Sequence, residues 1–197
     1  MIAPLPFGDL VLETDRLRLR PWTQADADFG HELLTDPRVM KYVTGDPLTP
    51  GEADAHLEHA SKRGAGGRIG IWCVELKTTG ERIGDGVLTP IPVEDVDVDW
   101  SQVVPEAYPT DQIEVGYLLK PAAWGQGYAT EICRRLLRFG FEETDLDLIV
   151  ACTDLENHAS QRVLGKAGMY DYGTGRAYAE DVRWFELPRS DWIAKNR

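Results

Sequence analysis

The chain has 197 residues, 43% hydrophobic and 27% charged. These are the proportions of one soluble globular domain, expected to span 1–197 with a sizeable core. The net charge of −12 and a sequence pI near 4.7 argue against a nucleic-acid-binding role, which rests on clustered Lys and Arg.

In chain order, "RLRLRPW" alternates leucine with arginine and predicts a strand with Leu17 and Leu19 on its inner face. Thr23 opens a polar helix through Ala25, Phe29 and Leu33, and Pro37 starts a short one after Asp36. Thr49, Pro50 and Glu52 have the spacing of a capping box, so a helix starts there, and "GAGG" at 64–67 is read as its end. "RIGIWCVEL" and "RIGDGVLTPI" form a predicted hairpin with Gly80 in the turn. The acidic stretch from Pro92 to Asp111 is read as a loop. "DQIEVGYLL" is a strand with Ile113, Val115, Tyr117 and Leu119 on one face and Glu114, Gly116 and Leu118 on the other. A helix follows "WGQGY", with Ala129, Ile132, Cys133, Leu136, Leu137, Gly140 and Phe141 as its apolar stripe. "LDLIVACTD" predicts a strand buried on both faces, and "NHASQRVLGKAG" a helix between Asn157 and Gly168. "MYDYGTG" and "DVRWFELPR" close the chain as strands.

The longest basic cluster, Arg134, Arg135 and Arg138, falls within one of these helices. No apolar run reaches membrane-spanning length, and the N-terminus lacks the cationic start and apolar core of a signal peptide. Cys73, Cys133 and Cys152 are far apart without a CxxC, so a reducing, cytoplasmic setting is expected, with no metal site.

The segment "WGQGYATEI", Trp124 to Ile132, carries the chemistry. A dinucleotide fingerprint needs a strand running straight into three spaced glycines. Here the third position is Thr130, and five residues separate the strand from Gly125, although Asp145 lies at a suitable offset for a ribose acid. No G-x-x-x-x-G-K-[ST] occurs either. What remains is two glycines before a helix N-terminus, which allow close backbone approach and unpaired N–H groups to meet an anion. The same pattern also suits a tight turn.

"IEVGYLLKPAAWGQGYATEICRRLLRFGFEE" and "LIVACTDLENHASQRVLGKAGM" together resemble the GNAT superfamily of acyl-CoA-dependent N-acyltransferases. Within it, the chain is similar to the branch that includes the ribosomal-protein N-terminal acetyltransferases, and "LETDRLRLRPWTQADADF" resembles that branch's opening strand and helix. The resemblance implies an α/β (α+β) fold: a mixed, mostly antiparallel sheet with helices on both faces and a splayed central strand pair. It also implies acetyl-CoA as donor. The backbone of Trp124, Gly125, Gln126, Gly127, Tyr128, Ala129 and Thr130 would hold the pyrophosphate, and Leu118 and Leu119 would pair with the pantetheine arm. Asn157 matches a pantetheine-contacting Asn and is equally placed to cap its helix.

The implied reaction is attack of a primary amine, on a protein N-terminus or a small molecule, on the thioester. The amine must lose a proton. Glu114 matches the family's acidic place and is the expected base or water-orienter, needed most at lower pH, where free amine is scarce. The tyrosine that often protonates the departing thiol is replaced by Leu164, which leaves Ser160 as the expected hydroxyl and Tyr170 in reserve. Glu180 and Asp181 are read as a loop beside the acceptor cleft. The acidic stretch from Glu94 to Glu106 is either a solvated loop or an attractor for a cationic acceptor. The alternative is a non-catalytic acyl-CoA-binding or sensing module. Monomer and homodimer both remain open.

Overall fold

The computed structural model describes residues 2–195. The elements are β1 (Leu12–Glu13), β2 (Leu17–Pro21), α1 (Ala27–Leu34), α2 (Pro37–Met40), α3 (Pro50–Leu57), β3 (Arg63–Gly64), β4 (Ile69–Leu76), β5 (Arg82–Pro90) and β6 (Ile113–Leu119). They continue with α4 (Tyr128–Glu143), β7 (Leu148–Thr153), α5 (His158–Ala167), β8 (Tyr170–Ala177), β9 (Glu180–Pro188) and α6 (Arg189–Lys195).

The strands form one sheet in the order β1-β2-β4-β5-β6-β7-β9-β8, with β3 paired to β4. All pairs are antiparallel except β6 with β7, which run parallel and share one bridge, Glu114 with Val150. This is the splayed central pair that the resemblance implies, in a mixed sheet with helices on both faces.

The apolar stripe of α4 packs on one face. Ile132, Leu136 and Phe139 join Trp72, Leu88 and Val115 in the largest core cluster. A Cβ on Gly86 would lie 2.8 Å from Ile132 and 2.9 Å from Leu136, so glycine lets α4 sit close to the sheet. On the other face, Phe29 and Leu33 of α1 and Leu57 of α3, with Trp22 after β2, cover Ile71 and Cys73.

Local signals held where capping chemistry is explicit. Thr49 and Glu52 make the reciprocal bonds of a capping box, and Asp36 and Asn157 cap α2 and α5. Three readings change. Helix α3 ends at Leu57, and "GAGG" instead begins in the short strand β3, whose Gly64 pairs with Ile69. Glu180 and Asp181 open strand β9 and are not a loop, because the turn at Tyr178–Ala179 is tight enough for pairing to resume at once. After Pro188 the chain forms α6, held by Arg189, which donates to the carbonyls of Phe141, Thr144 and Leu146.

The 92–111 stretch has no regular secondary structure, yet it is anchored. Trp100 and Val103 are buried against α3, while Val96 is exposed. Its acidic side chains remain at the surface, and Asp97 approaches His56 at 3.7 Å.

Candidate active site

Helix α4 begins at Gly127, whose φ of +82°, like the +73° of Gly125, lies where side chains are disfavoured. No side chain caps this end, so the first-turn N–H groups keep their donor capacity. A Cβ on Gly125 would meet nothing within 4 Å, and one on Gly127 only Arg16 Nη2 at 3.6 Å. The loop is therefore an open cradle of backbone donors at a helix N-terminus, which suits a pyrophosphate. Gln126 braces it by donating to the Ala122 carbonyl at 3.0 Å. Arg16, which sequence reading missed, donates to the Gln126 carbonyl at 2.9 Å, pairs with Glu131 at 2.6 Å and lies 4.4 Å from the Tyr128 ring centroid. This cation belongs to the turn before β2, and only the tertiary fold carries it to the cradle.

Strand β6 leads into this loop. Just beyond its two ends, the Ile91 N–H donates to the Gln112 carbonyl and the Lys120 N–H to the Ile83 carbonyl. Antiparallel alternation then turns residues 112, 114, 116, 118 and 120 toward β5 and residues 113, 115, 117 and 119 away from it. Leu118 fits this pattern: its N–H donates to Asp85 Oδ1 at 3.0 Å, and its carbonyl lies against Gly84. Of the two residues expected to pair with pantetheine, the structure thus turns Leu118 away from the opening and Leu119 toward it, together with Tyr117. The Leu119 carbonyl already accepts from the Trp124 indole at 2.7 Å.

Glu114 sits at the bridge where β6 and β7 part, and it is 7% exposed. Tyr178 donates a short hydrogen bond to it, and the Cys152 thiol lies at 3.9 Å. Burial pushes the carboxyl up to about 7, against the pull of those two donors. This changes the expectation for its pH dependence, because the base form is available only near and above pH 7. Tyr178 comes from the β8–β9 turn, where Tyr178 and Ala179 have φ of +53° and +58°. Their N–H groups donate to the carbonyls of Pro92 and Val93, which fixes the turn over Glu114. Non-glycine residues held in this region mark a position that the surroundings over-determine.

On the opposite sheet face, the Tyr117 hydroxyl and Ser160 Oγ are 2.9 Å apart. Burial raises the Tyr117 pKa. Asn157 Oδ1 accepts from the Ser160 N–H at 3.1 Å, so the capping role expected of it is present. Tyr170 is elsewhere: it lies exposed on edge strand β8, with Lys195 Nζ 4.1 Å from its ring centroid. Among the described residues no group of three or more His, Cys, Asp or Glu could hold a metal ion, and no helix is long and apolar enough to cross a membrane.

Comparison with known proteins agrees with this geometry. Residues 16–170 match the model of the acetyltransferase (GNAT) domain. The chain is 31% identical to the FsC-acetyl coenzyme A-N(2)-transacetylase of Aspergillus fumigatus, over 92% of this chain and 77% of that protein. It is 32% identical to YkkB of Bacillus subtilis, over 89% and 94% of the two chains. Among solved structures, the spermidine N-acetyltransferase of Vibrio cholerae, in complex with CoA and spermine, superposes with a TM-score of 0.67 at 19% identity, covering 91% of this chain and 99% of that one. The chain belongs to the GNAT family of acetyltransferases, which transfer acetyl groups from acetyl-CoA.

Proposed function

We propose that the protein acetylates a primary amine by direct attack on the acetyl thioester, with Glu114 as the base. The observation that carries this reading is a buried carboxyl, without a cationic partner among the described residues, placed where β6 and β7 separate. Acetyl-CoA supplies the acetyl group as a thioester. The Gly125–Thr130 backbone binds its pyrophosphate, with Arg16 beside it, and the outward edge of Tyr117 and Leu119 lines the arm. Glu114 accepts the proton that the attacking nitrogen loses as the N–C bond forms. Ser160, backed by Tyr117, offers its hydroxyl to the sulfur as the C–S bond breaks, so one proton passes in net from nitrogen to sulfur. The N(2)-transacetylase name of the Aspergillus relative and the spermine in the Vibrio structure both support a nitrogen acceptor.

The test is CoA release from acetyl-CoA with a panel of N-terminal peptides, polyamines and aminoglycosides. Release with at least one amine is expected. Tight acetyl-CoA binding without release across the panel would favour a sensing module, and no CoA binding at all would sink both.

A further inference from the structure

A second carboxyl shares the face of the sheet that carries Glu114. Asp85 lies in a small pocket of about 30 Å³ between α1, α3 and the sheet. The lining is otherwise mostly apolar, with Trp22, Leu33, Leu57, Ile71 and Leu118, and His56 joins Asp85 as the other titratable group. Among the described residues the one hydrogen bond found for the Asp85 side chain comes from the Leu118 N–H, to Oδ1. Burial pushes the carboxyl up to about 7, against that bond and the nearby His56. His56 is itself approached by Asp97 at 3.7 Å, and this carboxylate raises the imidazole pKa. A carboxyl left with spare acceptor capacity in an apolar pocket is costly unless a ligand completes it.

The register gives the spacing. Asp85 is paired with Leu118 and Thr89 with Glu114, so the two carboxyls sit on one face, four residues apart along the strands. At the strand rise of roughly 3.3 Å per residue the offset is about 13 Å. Between them on that face, Val87 packs over Gly116, its Cγ2 3.0 Å from where a Cβ on that glycine would sit. This face of the sheet thus carries an acid at the splayed strands and an acid in an apolar pocket.

We propose that Asp85 anchors a second nitrogen of the acceptor, an ammonium or N–H group on an apolar body, while the reacting amine lies against Glu114. The acceptor class is an elongated molecule with two nitrogens, one for each of these acids. The proposal rests on the acetyl-transfer reading for the meaning of the Glu114 end, but the pocket can be tested without turnover.

The experiment compares a long α,ω-diamine with the n-alkylamine of the same length, binding to the CoA-loaded protein by calorimetry. Asp85→Asn keeps the shape and the acceptor for Leu118 and removes the charge. The parent should bind the diamine about tenfold or more tightly than the monoamine, the value of one charge-assisted hydrogen bond. Asp85→Asn should bring that ratio close to one, with CoA affinity unchanged. Equal binding of the two amines by the parent, or a preference that survives in Asp85→Asn, overturns the proposal. A preference that depends on Asp85, combined with no CoA release from any amine, would keep the pocket assignment and sink the acetyl-transfer reading.

Discussion

As the proposed base, Glu114 carries two opposing demands. It must be ionised to take a proton, yet burial holds its pKa near 7. The parent rate should therefore rise with pH through about 7. Glu114→Gln should cost on the order of 100-fold in kcat/KM above that pH, the usual weight of a general base, while CoA affinity stays the same. Well below pH 7 the parent's side chain is neutral too, so the two profiles should converge. A constant ratio across the whole pH range would remove Glu114 from the mechanism. Tyr178 sharpens this. Its hydrogen bond favours the carboxylate, so Tyr178→Phe should move the acid limb of the profile upward by about one unit. An unmoved limb would mean that Tyr178 only packs there. Tyr178 was not legible in the sequence. It stands 64 residues from Glu114, and nothing in "RAYAED" marks it. Asp85 left a fainter signal, a carboxyl flanked by glycines within a central strand.

At the scale of elements, the proposed cradle was the most legible part of the candidate site. The glycines and the amphipathic stripe are local, and α4 starts at Tyr128, immediately after Gly127. Gly127→Glu should weaken CoA binding by at least about tenfold, because it sets a carboxylate against the pyrophosphate at a helix N-terminus. It also forces a side chain into φ +82°, so helicity should be checked by circular dichroism. Unchanged affinity by calorimetry with the helix intact would argue against this loop as the cradle. The direction of β6 backbone groups was less legible. Alternation along a strand is readable, but which parity faces β5 depends on register, and register belongs to the pair. That is why Leu118 and Leu119, adjacent in sequence, have opposite places in the structure.

For the whole molecule, the buried acids set the pH dependence of stability. Glu114 and Asp85 have folded-state values near 7, above those of an unfolded chain. Their stabilising contribution is thus complete below about pH 4 and is lost as pH rises through 7. Asp26 works in the other direction. Burial opposes its ionisation, but bonds from Arg20 and Thr23 outweigh burial and hold it at about 2, so its contribution is lost below about pH 4. The melting temperature should peak on the acid side of neutrality and fall from pH 5 to 8. Glu114→Gln should recover on the order of 1–3 kcal/mol at pH 8 and little at pH 5. A variant that melts with the parent at both pH values would contradict this burial cost. The proposed base would thus be most active where it most destabilises the fold, a common compromise at functional sites.

By itself the sequence determined what depends on neighbours along the chain: strand and helix periodicity, the caps at Thr49, Asp36 and Asn157, and the open glycine turn ahead of α4. These follow from backbone geometry over a few residues, so a short window contains their cause. Only the tertiary structure decided which side chains share a site. Arg16 reaches the cradle, Tyr178 reaches Glu114 and Tyr117 reaches Ser160 across 110, 64 and 43 residues respectively. Such pairings rest on strand order, register and one tight turn, and the same packing supplies the burial that moves the pKa values of Glu114 and Asp85.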